Sequence, residues 1–283
     1  MKQTILFLLI IISSNNYRAQ SYNKVNEFGK FQNASSFAIT MNGIIYVTDS
    51  YKNELYKLDT LGNVLTFIGG YGWDTSQFDD PVDVFATPLN VYVADKNNNR
   101  IQIFDKDLNF LSVFTTSDNT DNNFAFGYPT SVGVSGQGDM FILDSDNDRI
   151  LKYDLSGNFS QEIGGVDAGE FSISSPIKFA VSKNGNVFVL ESSYVDVFDQ
   201  YGNGLFKLKT NSEVENINIT FSYLTLVNPE TVSIINLANR NKIFNQFKFN
   251  DNQTIIADGL VFNNKLYILT KHSIFVFQIE QEH

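Results

Sequence analysis

Along this chain, short runs of apolar residues end on an acidic position and recur at a nearly constant interval. Four read alike: Ile45-Tyr46-Val47-Thr48-Asp49, Val91-Tyr92-Val93-Ala94-Asp95, Met140-Phe141-Ile142-Leu143-Asp144 and Val187-Phe188-Val189-Leu190-Glu191. Two weaker copies follow, Val232-Ser233-Ile234-Ile235-Asn236 and Leu266-Tyr267-Ile268-Leu269-Thr270. Their second residues stand at 46, 92, 141, 188, 233 and 267, so the intervals are 46, 49, 47, 45 and 34. A fixed period of this size is the mark of a repeat architecture, and a unit of roughly 44 residues is the size of a four-stranded propeller blade. Runs that are apolar at nearly every position, rather than at alternate ones, predict strands buried on both faces.

The polar residues between the runs stay in phase. Ten residues beyond the acid stands another Asp, at Asp59, Asp105 and Asp154; in the fourth unit the step is eight, to Asp199. Each opens a short turn, Asp59-Thr60-Leu61-Gly62-Asn63 and its counterparts at 154–158 and 199–203, while 105–109 has Leu108 in the glycine position. An Asp side chain bonds backbone amides two residues on and glycine supplies positive φ, so these predict hairpin connections. Asn42-Gly43, Gly136-Gln137-Gly138 and Asn184-Gly185-Asn186 mark a further turn upstream. Each unit therefore reads as strand a (Val82–Phe85, Ser131–Val134, Ile177–Val181), b, c and d (Leu65–Ile68, Phe110–Phe114). In the fifth unit Lys242–Asn250 reads as one continuous strand where two are wanted.

Pro81-Val82-Asp83-Val84, continued by Val91-Tyr92-Val93-Ala94-Asp95-Lys96-Asn97-Asn98-Asn99-Arg100-Ile101-Gln102-Ile103-Phe104-Asp105, resembles an NHL repeat. Pro129 to Asp154 is a second good copy, 31–70 and 171–208 are fair ones, and the signature fades from about residue 210. The resemblance implies an all-β, six-bladed β-propeller of four-stranded antiparallel blades spanning residues 22–283. The last unit has a-, b- and c-like strands and no d strand, whereas Val25-Asn26-Glu27-Phe28-Gly29 resembles the d-strand ending Thr66-Phe67-Ile68-Gly69. Residues 22–30 are thus expected to supply the outermost strand of the last blade and to remove a free edge.

The leader changes the charge. Met1-Lys2, the apolar run Ile5 to Ile12 and the small residues Ala19 and Ser21 suit a signal peptide over residues 1–21, cut before Tyr22, and the run is too short to span a bilayer. The expected location is therefore export, periplasmic or secreted. The whole chain carries 31 acidic and 20 basic residues; without Lys2 and Arg18 the balance is 31 to 18, a net of −13. Such an acid excess argues against nucleic acid, whose affinity comes from cations placed on phosphates.

Candidate chemistry is sparse. There are no cysteines and only two histidines, His272 and His283, which excludes disulfides, thiolate nucleophiles and Cys-ligated zinc. Asp144-x-Asp146-x-Asp148 starts like a calcium loop, but Arg149 and Leu155 stand where Gly and Glu belong. Asp118 and Asp121 read as part of a solvated loop. In NHL propellers the pairs Asp95/Arg100 and Asp144/Arg149 resemble a structural clasp across the b–c hairpin; the first unit has Glu54 in place of the Arg. The b–c and d–a connections of a propeller gather at one mouth of the channel. There the loops 69–80 and 115–128 carry Tyr71, Trp73 (the sole Trp), Phe124 and Tyr128, candidates for ligand binding by stacking. Phe78, Phe126 and Phe171, each shortly before a Pro, read as core instead. The expected function is a non-catalytic, monomeric binding module or scaffold that recognises a protein or peptide, less favourably a glycan, without cofactor, metal or membrane span. The alternative is a metal-dependent lactonase-like or related hydrolase propeller, because gluconolactonase-like propellers hold a divalent cation through Glu, Asn and Asp. Streptogramin-lyase-like propellers rely on histidine, which this chain scarcely has.

Overall fold

The computed structural model describes residues 21–116, 125–210, 214–238, 244–249 and 254–280. The leader through Gln20, Phe124, Asp118, Asp121 and His283 lie outside the described residues. Six four-stranded antiparallel sheets form the ring, a six-bladed β-propeller. Blade one holds β2 (Ala34–Ile39), β3 (Ile45–Asp49), β4 (Glu54–Leu58) and β5 (Val64–Gly69). Blade two holds β6 (Pro81–Ala86), β7 (Asn90–Asp95), β8 (Arg100–Asp105) and β9 (Phe110–Phe114). Blade three holds β10 (Ser131–Val134), β11 (Met140–Asp144), β12 (Arg149–Tyr153) and β13 (Phe159–Ile163). Blade four holds β14 (Lys178–Val181), β15 (Val187–Leu190), β16 (Tyr194–Phe198) and β17 (Gly204–Lys209). Blade five holds β18 (Asn216–Thr220), β19 (Tyr223–Val227), β20 (Thr231–Asn236) and β21 (Phe244–Lys248). Blade six holds β22 (Ile256–Phe262), β23 (Lys265–Thr270) and β24 (Ile274–Glu280), and its outer strand is β1 (Ser21–Phe28).

Burial follows position in the blade. Every residue of β3, β11 and β15 is buried, whereas the outer strands β5 and β17 are mostly exposed. The core is correspondingly divided into six apolar clusters, each drawn from two neighbouring blades. Phe37 and Val47 of blade one meet Leu260 and Tyr267 of blade six, for example, and Phe141 and Ile150 of blade three meet Phe179 and Val189 of blade four. Phe78 and Phe126 lie in this core; Phe171 is half-buried at its edge, packed against Phe198.

The turn chemistry repeats from blade to blade. Asp59 accepts from the backbone N–H of Leu61 and of Asn63, both at 2.9 Å, and from Asn63 Nδ2 at 2.7 Å. Asp105, Asp154 and Asp199 make the same three contacts with residues two and four further on. These bonds favour the carboxylate and hold Asp105 and Asp154 below the usual range. Gly62, Gly157 and Gly202 occupy the positive-φ position, and Leu108 adopts the same conformation at φ 65°. Its side chain is buried in the interface of blades one and two, which offsets the strain that a non-glycine residue carries there.

The fifth blade corrects the sequence reading. Val232–Asn236 is part of the third strand, β20, not the second; the second is β19. Phe188 and Tyr267 therefore have their counterpart in Leu224, which splits the interval between them into 36 and 43 residues. The unit is short because β18 and β19 are joined by two residues only, with Phe221 at φ 57°. The stretch around 242–250 supplies one strand, β21, because the other strand lies earlier in the chain.

The ring is closed by β1, which pairs antiparallel with β24 from Ser21↔Glu280 to Phe28↔Ile274. Tyr22 stands edge-on to Phe247 at 5.2 Å and Lys24 lies 4.6 Å over the ring of Phe275. Phe28 packs against the cluster shared by blades six and one. Deleting residues 22–30 is expected to lower the melting temperature by about 10 °C or more, which for a chain of this size is several kcal/mol. Thermal unfolding of the truncated chain beside the parent checks it, and an unchanged midpoint would refute closure by β1.

Candidate functional site

The acidic residue that ends each of the first four b strands reaches back to the loop before its own blade. Asp49 accepts from the N–H of Gln32 and of Asn33, Asp95 from Asp79, Asp144 from Gly127 and Glu191 from Ser174, at 2.5–3.1 Å. A carboxylate placed on loop backbone donors satisfies N–H groups that no strand partner reaches. In blades two and three an arginine completes the arrangement: Arg100 Nε lies 2.7 Å from Asp95 Oδ2, and Arg149 Nε lies 2.9 Å from Asp144 Oδ2. Both aspartates are fully buried, and burial raises the pKa of Asp95 against the pull of its hydrogen bonds. In blade one Glu54 instead accepts from the Tyr56 hydroxyl, which also receives Lys52 Nζ at 3.0 Å.

The blade-two clasp holds the loop that carries the aromatic candidates. Arg100 donates through Nη1 to the carbonyl of Trp73 at 2.7 Å, and through Nη2 to those of Asp74 at 3.1 Å and Gln77 at 2.9 Å. Asn98 Nδ2 donates to the Gly72 carbonyl at 2.9 Å, and Gln102 Nε2 to that of Gln77 at 2.6 Å. Phe78 anchors the loop in the core, and its N–H donates to the Gly70 carbonyl at 2.9 Å. Gly72 adopts φ 156°, a backbone conformation that residues with a side chain rarely take up. With the backbone tied down, the side chains of Tyr71 and Trp73 remain 69% and 67% exposed.

The blade-two b–c hairpin also reaches the neighbouring loop. Asn99 Oδ1 accepts from the N–H of Tyr128 at 2.7 Å, and the Tyr128 carbonyl accepts from Ser145 Oγ at 2.6 Å. Tyr128 is 45% exposed. Arg149 ties the same loop through the Ala125 carbonyl at 3.0 Å, and it pairs with Glu162 at 2.6 Å. Asn98 and Asn99 thus bring Trp73 and Tyr128 to either side of a single hairpin. Phe124 lies outside the described residues. The surroundings are acidic: Asp74, Asp79 and Asp146 have no lysine or arginine partner among the described residues, and Asp146 lies against Gly127. Asp144 is engaged by Arg149, Asn147 and the Gly127 N–H, so its oxygens are spent on the protein itself.

A second polar constellation, absent from the sequence reading, sits on the inner strands. Asp83 of β6 accepts from Ser36 Oγ at 2.7 Å and from Ser131 Oγ at 3.1 Å, and lies 3.0 Å from Lys178 Nζ. Asp258 of β22 lies 3.8 Å from the same ammonium. Two buried carboxylates therefore share one cation. Beside them is a cavity of about 30 Å³ lined by Asp83, Lys178 and Asn218 among others, room for about two waters. Burial alone would lower the Lys178 pKa, but Asp83 and Asp258 outweigh it and leave it raised. Burial pushes Asp258 up to about 6, opposed by Lys178 and the Gly259 N–H. The folded protein then binds a proton that the unfolded chain, with a carboxylate near 3.8, has released. This group's contribution to stability falls as pH rises from about 4 to 6 and is flat above. Asp258→Asn is expected to gain on the parent by at most about 3 kcal/mol between pH 4 and pH 7.5. Denaturant titrations at both pH values check it; a difference independent of pH would refute it.

No protein-family model matches the chain. The protein brain tumor of Drosophila melanogaster is 32% identical over 152 residues, which is 52% of this chain and 14% of that protein. NHL repeat-containing protein 3 of Mus musculus is 24% identical over 161 residues, 52% of this chain and 45% of that protein. The matched regions span less than half the length of either relative. Among solved structures, virginiamycin B lyase from Staphylococcus aureus superposes with a TM-score of 0.63 at 11% identity, covering 89% of this chain and 98% of the lyase. A streptogramin B lyase gives 0.65 at 10% identity, covering 93% and 98%. At such identities the lyases share the fold. The one described histidine, His272, has its ring 3.3 Å from the Phe31 carbonyl. The chain is thus a six-bladed β-propeller that is similar in sequence, over about half its length, to NHL-repeat proteins.

Proposed function

We propose that this propeller is a non-catalytic scaffold that binds a protein or peptide partner at the mouth formed by the loops around Trp73 and Tyr128. The observation that carries the reading is the combination of an exposed Tyr71–Trp73 pair with a backbone held from beneath by Arg100, Asn98 and Gln102. Exposing large aromatics costs favourable burial, and fixing their loop in advance reduces the entropy lost on binding. Aromatic anchors on a rigid support are the residues that dominate binding energy at protein interfaces. The NHL-repeat relatives support a protein-binding scaffold as the general role. The carboxylates of Asp74, Asp79 and Asp146, which have no lysine or arginine partner among the described residues, favour a partner presenting lysine or arginine, whose cations also stack on Trp and Tyr faces. A glycan would use the same rings without need of the carboxylates.

Export is part of this proposal and rests on the leader pattern of residues 1–21. Among the described residues no helix is long and apolar enough to cross a membrane. If export holds, the protein recovered from the native host outside the cytoplasm begins at Tyr22; intact-mass measurement reads this, and a retained Met1 would refute it.

Trp73 is the sole tryptophan, so its fluorescence reports the mouth directly. Trp73→Ala and Tyr71→Ala are expected to shift the melting temperature by less than about 2 °C, because both side chains are exposed, yet to weaken partner capture at least tenfold, about 1.4 kcal/mol. Capture from envelope extract by the parent and the two variants, each on the same matrix, measures this. Unchanged capture would remove both residues from the site, and capture abolished by deglycosylating the extract would transfer the proposal to a glycan.

A further inference from the structure

The shared cation on the ring axis has more to it than an internal ion pair. Lys178 crosses from blade four to carboxylates of blades two and six, and its ammonium is surrounded by oxygen: Asp83 Oδ1 at 3.0 Å, Ser36 Oγ at 3.3 Å and Asp258 Oδ2 at 3.8 Å. Asp258 is fully buried, and its Oδ2 accepts no hydrogen bond; the ammonium 3.8 Å away is the cation it faces. Two carboxylates and a hydroxyl converging on one point, with one carboxylate oxygen left over and a cavity that Asp83 and Lys178 line, make the donor set of a hard cation rather than of a soft one. The net charge of the three ionised groups is −1, so the site holds more negative charge than the lysine neutralises.

We propose that the ring axis is a cation-binding site whose resident cation is the protein's own Lys178 ammonium, and that shortening this side chain opens the site to calcium. Tethering supplies the cation at no cost in translational freedom, and it fixes the charge at the place where the inner strands of three non-adjacent blades converge. Removing the ammonium alone leaves two buried carboxylates facing each other without compensation, which is destabilising. A divalent ion of oxygen preference replaces both the lost charge and the lost ligand contacts. Zinc, which prefers nitrogen and sulfur, finds neither at this point.

The experiment compares the melting temperatures of the parent, Lys178→Ala and Lys178→Ala/Asp258→Asn in excess EDTA and in 5 mM CaCl2. The parent is expected to move by less than 1 °C. Lys178→Ala is expected to melt about 10 °C lower in EDTA and to regain at least half of that in calcium. The double variant, with one carboxylate neutralised, is expected to lose the calcium response. If Lys178→Ala does not fold in EDTA, refolding from denaturant with and without calcium reads the same difference as recovered native protein. A lysine that served packing alone would give a variant indifferent to calcium, and that result would overturn the proposal. A parent that rises as far as the variant would also overturn it, by placing the calcium elsewhere.

Discussion

A blade of this protein has two apolar faces and only its neighbours to cover them, and from this constraint most of the structure follows. The six clusters each belong to two blades, so no blade owns a core of its own. Stability is then a sum over interfaces, as in other repeat proteins, with the difference that a ring has no end to cap. An open arc would leave one apolar face of the first blade and one of the last in water. Pairing of β1 with β24 closes that gap through backbone hydrogen bonds, because the two ends of the chain share one sheet.

The same constraint explains which features could be read in the letters and which could not. Fully buried b strands leave an unmistakable run such as Met140–Asp144, and the Asp-x-x-Gly-Asn turns recur because only a few residue types accept that backbone. Blade five has neither a turn of this kind nor an acid at the end of its b strand, so Val232–Asn236, apolar and correctly spaced, took the place of Tyr223–Val227. The axial residues Asp83 and Lys178 had a signal that went unused: with Ser36 and Ser131 they lie 47, 48 and 47 residues apart, a polar residue recurring in the inner strands of blades one to four. A polar residue in a strand ordinarily faces solvent, and only the closed ring turns that face into a buried axis. The link from Asp95 to the N–H of Asp79 was not legible at all, because a backbone donor has no letter.

The molecule separates two uses of the same chemistry. In the ring, carboxylates are spent: on turns at Asp59 and Asp154, on loop amides at Asp95 and Asp144, on the axial ammonium at Asp83. On the loops around Trp73 and Tyr128, Asp74, Asp79 and Asp146 have no cationic partner among the described residues. The aromatic residues divide in the same way, with Phe78 and Phe126 inside and Tyr71, Trp73 and Tyr128 outside on the loops those phenylalanines anchor. Arg100 joins the two regimes, since one of its nitrogens belongs to the buried pair and the others hold the backbone of the exposed loop.

Closure by β1 also sets an order in time. Ser21 and its partner Glu280 are 259 residues apart, and among the described residues β1 pairs with β24 alone. A ribosome adding about 5–20 residues per second finishes β24 tens of seconds after it has made β1. During that interval blades one to five acquire their strands one after another, while β1 waits for a partner that does not yet exist. The first strand synthesised is thus among the last to be placed, and completion of the ring, a contact of very long sequence separation, falls at the slow end of folding.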